Sequence, residues 1–374
     1  MGKRELLIIV AFVVVGAVAY QITAPPAKDG EGFSFSRLWR ETRRNMRGNA
    51  PIATHNSSGT FELDAAVRQL RVSGFNRGVR IIGERRDDIG YELSVGSSGP
   101  DEATALALAR DTHILQDAVN ESLGLYVKAP GEGSQYSSVL LRVPQRLAVR
   151  VDGPVGSASG GTAGARIETV AALELEATGS VTVDGVAGAI TGSHGSGELH
   201  VSNAGSVDLR LDGSRARFAQ VAEGLTITGR QARCEIASSG GAIDVSGNGV
   251  TSTIRDPSGP VRVSGSSGRV TIDGPRAETR IDVRRTEVQV TLHAPAPITI
   301  LTTDSPARLL LAGNVPIAID AVTTGSGRIT ATEFGLSPET TNGEQRLTHT
   351  IGSASSARVT IRNQRGHIVI GRVK

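Results

Sequence analysis

The sequence predicts an all-β protein, a parallel β-solenoid with an N-terminal cap that contains one helix, standing behind an N-terminal membrane helix. Three observations predict it. From about residue 150 onward, phrases of alternating apolar and polar residues closed by Gly-containing turns recur at a step of about nine residues. Aromatic residues number only 12 of 374 while Gly reaches 46, which suits a narrow core of small and β-branched side chains. Residues 6–24 form an almost purely apolar run directly behind Lys3 and Arg4.

That run, LLIIVAFVVVGAVAYQITA, would make a helix of about 28 Å, close to the hydrocarbon thickness of a bilayer. It reads as a transmembrane signal-anchor behind a short cytoplasmic tail at 1–5. A cleaved signal peptide is the alternative, because Ala17-Val18-Ala19 has the small-residue pattern of a cleavage site. Either reading carries the C-terminal body out of the cytoplasm, to the periplasm or cell surface, with membrane lipid as the partner of the helix. The Lys and Arg count opposes this orientation, since Lys28, Arg37, Arg40, Arg43 and Arg44 outnumber Lys3 and Arg4; a five-residue tail is nevertheless the end retained by the usual signal-anchor route.

Residues 25–53 read as a basic linker. Pro and Gly open it, and Arg37, Arg40, Arg43, Arg44 and Arg47 follow around Leu38 and Trp39; a short basic helix on anionic headgroups, capped by Ser36, is the alternative. Residues 1–50 hold eight basic and four acidic side chains, and the other 324 residues hold 32 and 33. The basic character thus belongs to the N-terminus. The body lacks both the Lys/Arg clusters and the aromatic platforms that nucleic acid would need, so no nucleic-acid partner is expected.

Residues 54–150 should form the cap of the solenoid. THNSSGTFELDAAVRQLRVSGFNRGVRIIGERRDDIGYELSVGSSG (54–99) reads as three or four strands. PDEATALALARDTH follows with Pro100 at a first-turn position and Leu106, Ala107 and Arg110 at helical spacing, predicting a helix at about 100–111. Strands are expected again at 112–119, 123–128 and 138–151, the last interrupted by Pro144. A cap is needed because an open end would expose unpaired strand edges.

Residues 151–374 carry the repeat, as in ALELEATG (172–179), SVDLRLDG (206–213), AIDVSGNG (242–249) and RVTIDG (269–274). A nine-residue step is too short for a strand plus a crossover helix. Stacked parallel strands fit, with two strands per coil of about 18 residues or three per coil of about 27; an up-and-down barrel or sandwich is the alternative fold. Val263 and Ile272 should point inward, and Arg262 and Thr271 outward. The stretches 188–197, GAITGSHGSG, and 293–316 depart from the clean phrase.

FELDAAVRQLRVSGFNRGVRIIG (61–83), LLRVPQRLAVRVDG (140–153), the G-x-V-x-V phrases and the final ARVTIRNQRGHIVIG (357–371) occur in an order that resembles the bacterial putative-adhesin β-solenoid family, a domain of unknown function. The resemblance covers about residues 55–371. It implies a right-handed β-helix on an exported or membrane-anchored protein, and it brings no catalytic residues with it.

No P-loop, GxGxxG, HExxH, GxSxG or SxxK motif is present, and every Lys (3, 28, 128 and 374) lies outside the repeated phrases. The seven His are scattered singly. His194 reads as solvated in a Gly-Ser turn, and His200 points outward between Leu199 and Val201. Cys234 shares the parity of Ala232 and Ile236 and so reads as a small core hydrophobe. Asp152, Asp184, Asp212, Asp273 and Asn248, each followed by Gly, read as turns rather than calcium ligands, because the GGxGxD pattern is absent. Asp87-Asp88 reads as a charged turn. Stacking could still bring distant acids such as Asp208, Asp244 and Asp273 together.

These readings give no catalytic residue, no metal site and no cofactor. They predict a noncatalytic, membrane-anchored cell-envelope protein whose solenoid contacts an envelope or surface ligand. A polysaccharide-active β-helix enzyme and a polymerising bactofilin-like scaffold are the alternatives.

Overall fold

The computed structural model describes residues 51–130, 135–155, 164–352 and 357–373. The expected membrane helix at 6–24 and nearly all of the basic linker lie outside these residues. Among the described residues, no helix is long and apolar enough to cross a membrane.

The chain opens with strands β1 (Ile52–Phe61), β2 (Gln69–Ser73), β3 (Gly78–Glu84) and β4 (Ile89–Ser98), then the single helix α1 (Glu102–Asp111). Strands β5 (His113–Val119), β6 (Ser122–Lys128), β7 (Gln135–Pro144), β8 (Ala148–Val155) and β9 (Ala165–Val170) follow. Two long strands, β10 (Ala172–Asp212) and β11 (Ser214–Arg230), keep strand hydrogen bonding through their corners. Shorter ones succeed them: β12 (Arg233–Ala237), β13 (Ala242–Asn248), β14 (Thr251–Arg255), β15 (Val261–Ser266), β16 (Arg269–Asp273), β17 (Thr279–Arg284), β18 (Glu287–Leu292), β19 (Ile298–Thr303) and β20 (Ala307–Leu311). The chain ends with β21 (Ile317–Thr324), β22 (Ile329–Thr330), β23 (Glu339–Thr341), β24 (Glu344–Ile351), β25 (Arg358–Gln364) and β26 (Ile368–Arg372). The protein is therefore all-β, built on one large and mostly parallel sheet.

From β12 to β18 each strand pairs in parallel with the strand two places later, which divides the repeat into two ladders. In one, Val207, Leu225, Ile243, Val261, Thr279 and Ile298 lie in register. In the other, Val201, Phe218, Ile236, Ile254, Ile272, Val290 and Leu309 do so. The step within a ladder is 18 residues with occasional slips of one, so the nine-residue phrase of the sequence is half a repeat. Alternate residues bury: Val263 and Ile272 are inside while Arg262 is exposed and Thr271 partly so. The buried faces join in one continuous apolar core that contains Cys234.

The corners show why the step holds at 18. At one corner Gly213, Gln231, Gly249, Ser267, Arg285 and Asp304 follow each other at that spacing, all with positive φ between 49° and 71°. In each the backbone N–H donates to a carbonyl of the neighbouring repeat, as from Gln231 to Asn248 at 2.9 Å and from Ser267 to Arg284 at 3.0 Å. The left-handed backbone aims the N–H along the stack. A second such corner runs through Asn203, Gln220, Ser238, Asp256 and Gly274. Non-glycine residues there carry strain of about 1–2 kcal/mol each, offset by the bond it creates.

Both ends depart from chain order. At the N-terminal end β2 and β3 pair inward with β8 and β9, while β6 and β7 lie on their outer side. Then β4 pairs antiparallel with β7 and β1 with β4, with α1 packed on both. The helix starts later than its sequence suggests. Asp101 is its N-cap, accepting from the Thr104 N–H at 2.8 Å, so Pro100 precedes the helix instead of opening it.

At the C-terminal end the last phrases of the sequence are not the outermost layer. Strands β25 and β26 insert between β19 and β20 on one side and β21 and β22 on the other. As a final layer β25 and β26 would leave long parallel edges open, whereas here both are paired on two sides, and the two-residue β22 and the antiparallel β24 lie outside. The buried Asp320 of β21 pins the insertion, accepting from Arg362 at 2.6 Å and Arg358 at 3.0 Å, with Arg346 at 3.4 Å.

The corner geometry makes a direct prediction. Gln231→Gly should leave stability unchanged or raise it by up to about 1 kcal/mol, whereas the β-branched Gln231→Val should lower it by about 1–2 kcal/mol. Chemical unfolding of the two variants beside the parent measures both.

Candidate functional site

An open groove of about 740 Å³ lies on the exposed face of β1, β4, β7, β3 and β9. Its floor follows from the register. Asn56 lies beside Ser94, Ser94 beside Ser138, and Ser138 beside Gly78, so four small residues from four strands make a shallow trough. Ser58, Glu92, Leu140, Arg80 and Arg166, also in register, stand higher along one side.

The charged groups of that side are already engaged. Glu168 pairs with Arg80 at 3.2 Å and with Arg166, and Glu92 pairs with Arg142 at 2.6 Å. None of the groove serines is hydrogen-bonded to a His or a carboxylate that would activate it as a nucleophile. The groove lining offers hydroxyl, amide and guanidinium donors to an extended polar chain and holds no aromatic ring; Tyr136, one row along the same face, lies against Gly96 with Arg77 over its ring at 4.3 Å. Two smaller hollows continue along the same ladder, one at Ser180, Thr182, His200 and Arg217 and the other at Glu198, Arg215 and Arg233.

Most residues singled out from the sequence are kept apart by the fold. Asp208 and Asp244 share a row but have Thr226 between them, and Asp273 lies on the other ladder. Asp88 pairs with Arg86 at 2.8 Å, a charged turn. The glycines after Asp152, Asp184, Asp212, Asn248 and Asp273 all have positive φ, as tight corners require. His200 is exposed, and His293 meets Asp273 at 2.8 Å. Among the described residues no three His, Cys, Asp or Glu converge as a metal site would require. Burial pushes the Cys234 thiol up to about 12, which keeps it protonated and unreactive.

His194 corrects the sequence reading. It is wholly buried, not solvated in a turn. The strand does not stop at Ile190: parity continues through Gly192 to His194, which puts the ring inside. Gly192 and Gly197, with φ of 114° and 133°, let the backbone approach the preceding repeat so closely that a Cβ would stand 2.2 Å from the Leu175 carbonyl and 2.1 Å from that of Gly179. Nε2–H donates to the Gly179 carbonyl at 3.1 Å, and Nδ1 has no partner among the described residues. Desolvation lowers the His194 pKa. The parity of Ile190 was the available signal.

No family model and no curated protein matches the chain. Solved structures similar to it include a putative adhesin from Parabacteroides merdae, 11% identical with TM-score 0.32 over 85% of this chain and 96% of that one. A second putative adhesin, from Parabacteroides distasonis, is 11% identical with TM-score 0.31 over 87% of this chain and 98% of that one. A putative lipid binding protein from the same species is 12% identical with TM-score 0.27 over 86% and 97%.

A buried imidazole with a depressed pKa links stability to pH. The unfolded chain takes up the proton near pH 6.5 and the folded chain does so only at lower pH, so stability falls as pH drops below about 6.5, by up to about 1.4 kcal/mol per pH unit. His194→Met should abolish that decline between pH 7 and 5. The loss tied to Asp320, whose pKa its arginines lower, should remain and begin only below about pH 4. Unfolding curves across pH for both proteins separate the two windows.

Proposed function

We propose that this chain is a noncatalytic cell-envelope protein of the putative-adhesin kind, anchored by residues 6–24, whose extracytoplasmic body presents its exposed ladder faces to an envelope or surface polymer. The body is a right-handed β-solenoid of two strands per coil; the 18-residue register in two parallel ladders supports this. The observation that carries the functional reading is the groove floor of Asn56, Ser94, Ser138 and Gly78, polar, shallow and continued by two further hollows on one face. Such a surface suits an extended ligand held by several weak hydrogen bonds rather than a small molecule enclosed in an apolar pocket.

Weak contacts of this kind gain strength by repetition. The full chain reconstituted at high density in vesicles should hold an envelope polysaccharide at least about tenfold more tightly than the detergent-solubilised protein, with no release of reducing ends. Polysaccharide cleavage that Asp208→Asn or Asp244→Asn abolishes would replace this reading with a hydrolase or lyase.

The address is tested separately. A Cys234→Ala, Thr226→Cys chain carries a single exposed thiol. In intact cells with a permeabilised outer layer, a membrane-impermeant maleimide should label it. Labelling only after lysis would place the body in the cytoplasm.

A further inference from the structure

Among the described residues four strands have a partner on one side only: β1, β5, β22 and β23. Proteins protect such edges with short strands, charges or proline, because a free row of N–H and C=O groups templates pairing with another chain. Three of the four are protected. β22 has two residues and β23 three, the latter with Glu339; β5 carries Asp117. β1 is different. Its ten residues, IATHNSSGTF, contain no Asp, Glu, Lys, Arg or Pro. Among the described residues their only strand partner is β4, and their outer edge makes no hydrogen bond there. At its start Ile52 is 61% exposed, the most exposed large hydrophobic residue among those described.

We infer that β1 is a homodimer edge, pairing antiparallel with β1 of a second copy about a two-fold axis at Asn56. The strand is self-complementary in this register. Asn56 meets its own copy, Thr54 faces Ser58, and Ile52 faces Thr60, all on the exposed side of the strand. No like charges oppose each other, and hydroxyl-bearing pairs of this type are favourable across antiparallel strands. A two-fold axis requires the same patch on both copies, and a neutral, uninterrupted strand can pair with itself where the charged edges cannot. The ligand groove begins on β1, at Asn56 and Ser58, so pairing would join the two grooves across the axis. The inference stands on β1 alone and not on the reading of residues 6–24.

The full chain in detergent tests it. Sedimentation should show a dimer. In a Cys234→Ala background Asn56→Cys should form an interchain disulfide on mild oxidation, because facing Cβ atoms lie about 4.5–5.5 Å apart. Thr54→Cys and Ser58→Cys should crosslink poorly alone and well when mixed, since each faces the other. Asn56→Lys, at an exposed position, should weaken the dimer at least about tenfold by opposing two ammonium groups, with the circular dichroism of the chain unchanged. An equimolar mixture of Asn56→Lys and Asn56→Glu should restore it. A monomer at all concentrations overturns the inference. So does a dimer that Asn56→Lys leaves intact, or one that crosslinks equally at 54, 56 and 58, because the contact would then lie elsewhere or lack the register.

Discussion

The structure depends on the hydrogen bond that each left-handed corner donates to the repeat beside it. A corner N–H pointing along the stack can be satisfied only if the next repeat places a carbonyl at the same height, so Gln231, Gly249, Ser267 and Arg285 must return at the same interval. Once that interval is set, side chains of equal parity fall into rows, and each interior row must be filled with residues that pack on their own kind. Val, Ile and Leu do this at the spacing of parallel strands. The composition follows: from residue 165 to 311 Phe218 is the only Phe, Tyr or Trp, and it is buried, with the small Ala216 two residues before it on the same inward parity.

A stack built this way has ends, and its ends are the difficulty. Both are closed by one manoeuvre, in which a layer distant in sequence is slotted inside and an antiparallel segment is laid over it. At the N-terminal end β2 and β3 are trapped between β6 and β7 and β8 and β9. At the C-terminal end β25 and β26 are trapped inside β21 and β22, and the burial of Asp320 among three arginines makes the arrangement specific. An unpaired carboxylate there would cost several kcal/mol, so an insertion that failed to bring Arg358 and Arg362 to it would be strongly disfavoured.

This contrast explains what was legible in the sequence. The parity of Val263, the burial of Cys234 and the turns after Asp184 or Asp273 are set by neighbours one or two residues away, and a local pattern contains them. The glycines around His194 resemble a loop in the sequence, although they serve close packing of backbones. The order of the end layers has no local signature. Asp304 and Arg365 meet across 61 residues, and the irregular segment at 293–316 shows only that the register changes. The groove is similarly hidden: its floor gathers Asn56, Gly78, Ser94 and Ser138, none of which stands out in its own segment.

The exposed rows obey a looser rule than the interior. Arg230 pairs with Asp212, Arg217 with Glu235 and Arg269 with Glu287, each across one 18-residue step. Exposed pairs of this kind contribute little to stability, on the order of 0–1 kcal/mol. They can be exchanged without disturbing the corners or the core. The scaffold therefore fixes where an outward side chain stands and leaves its identity free. A ligand that touches many such positions weakly is then recognised by the pattern of rows, and the same fold can carry different patterns while its interior stays the same.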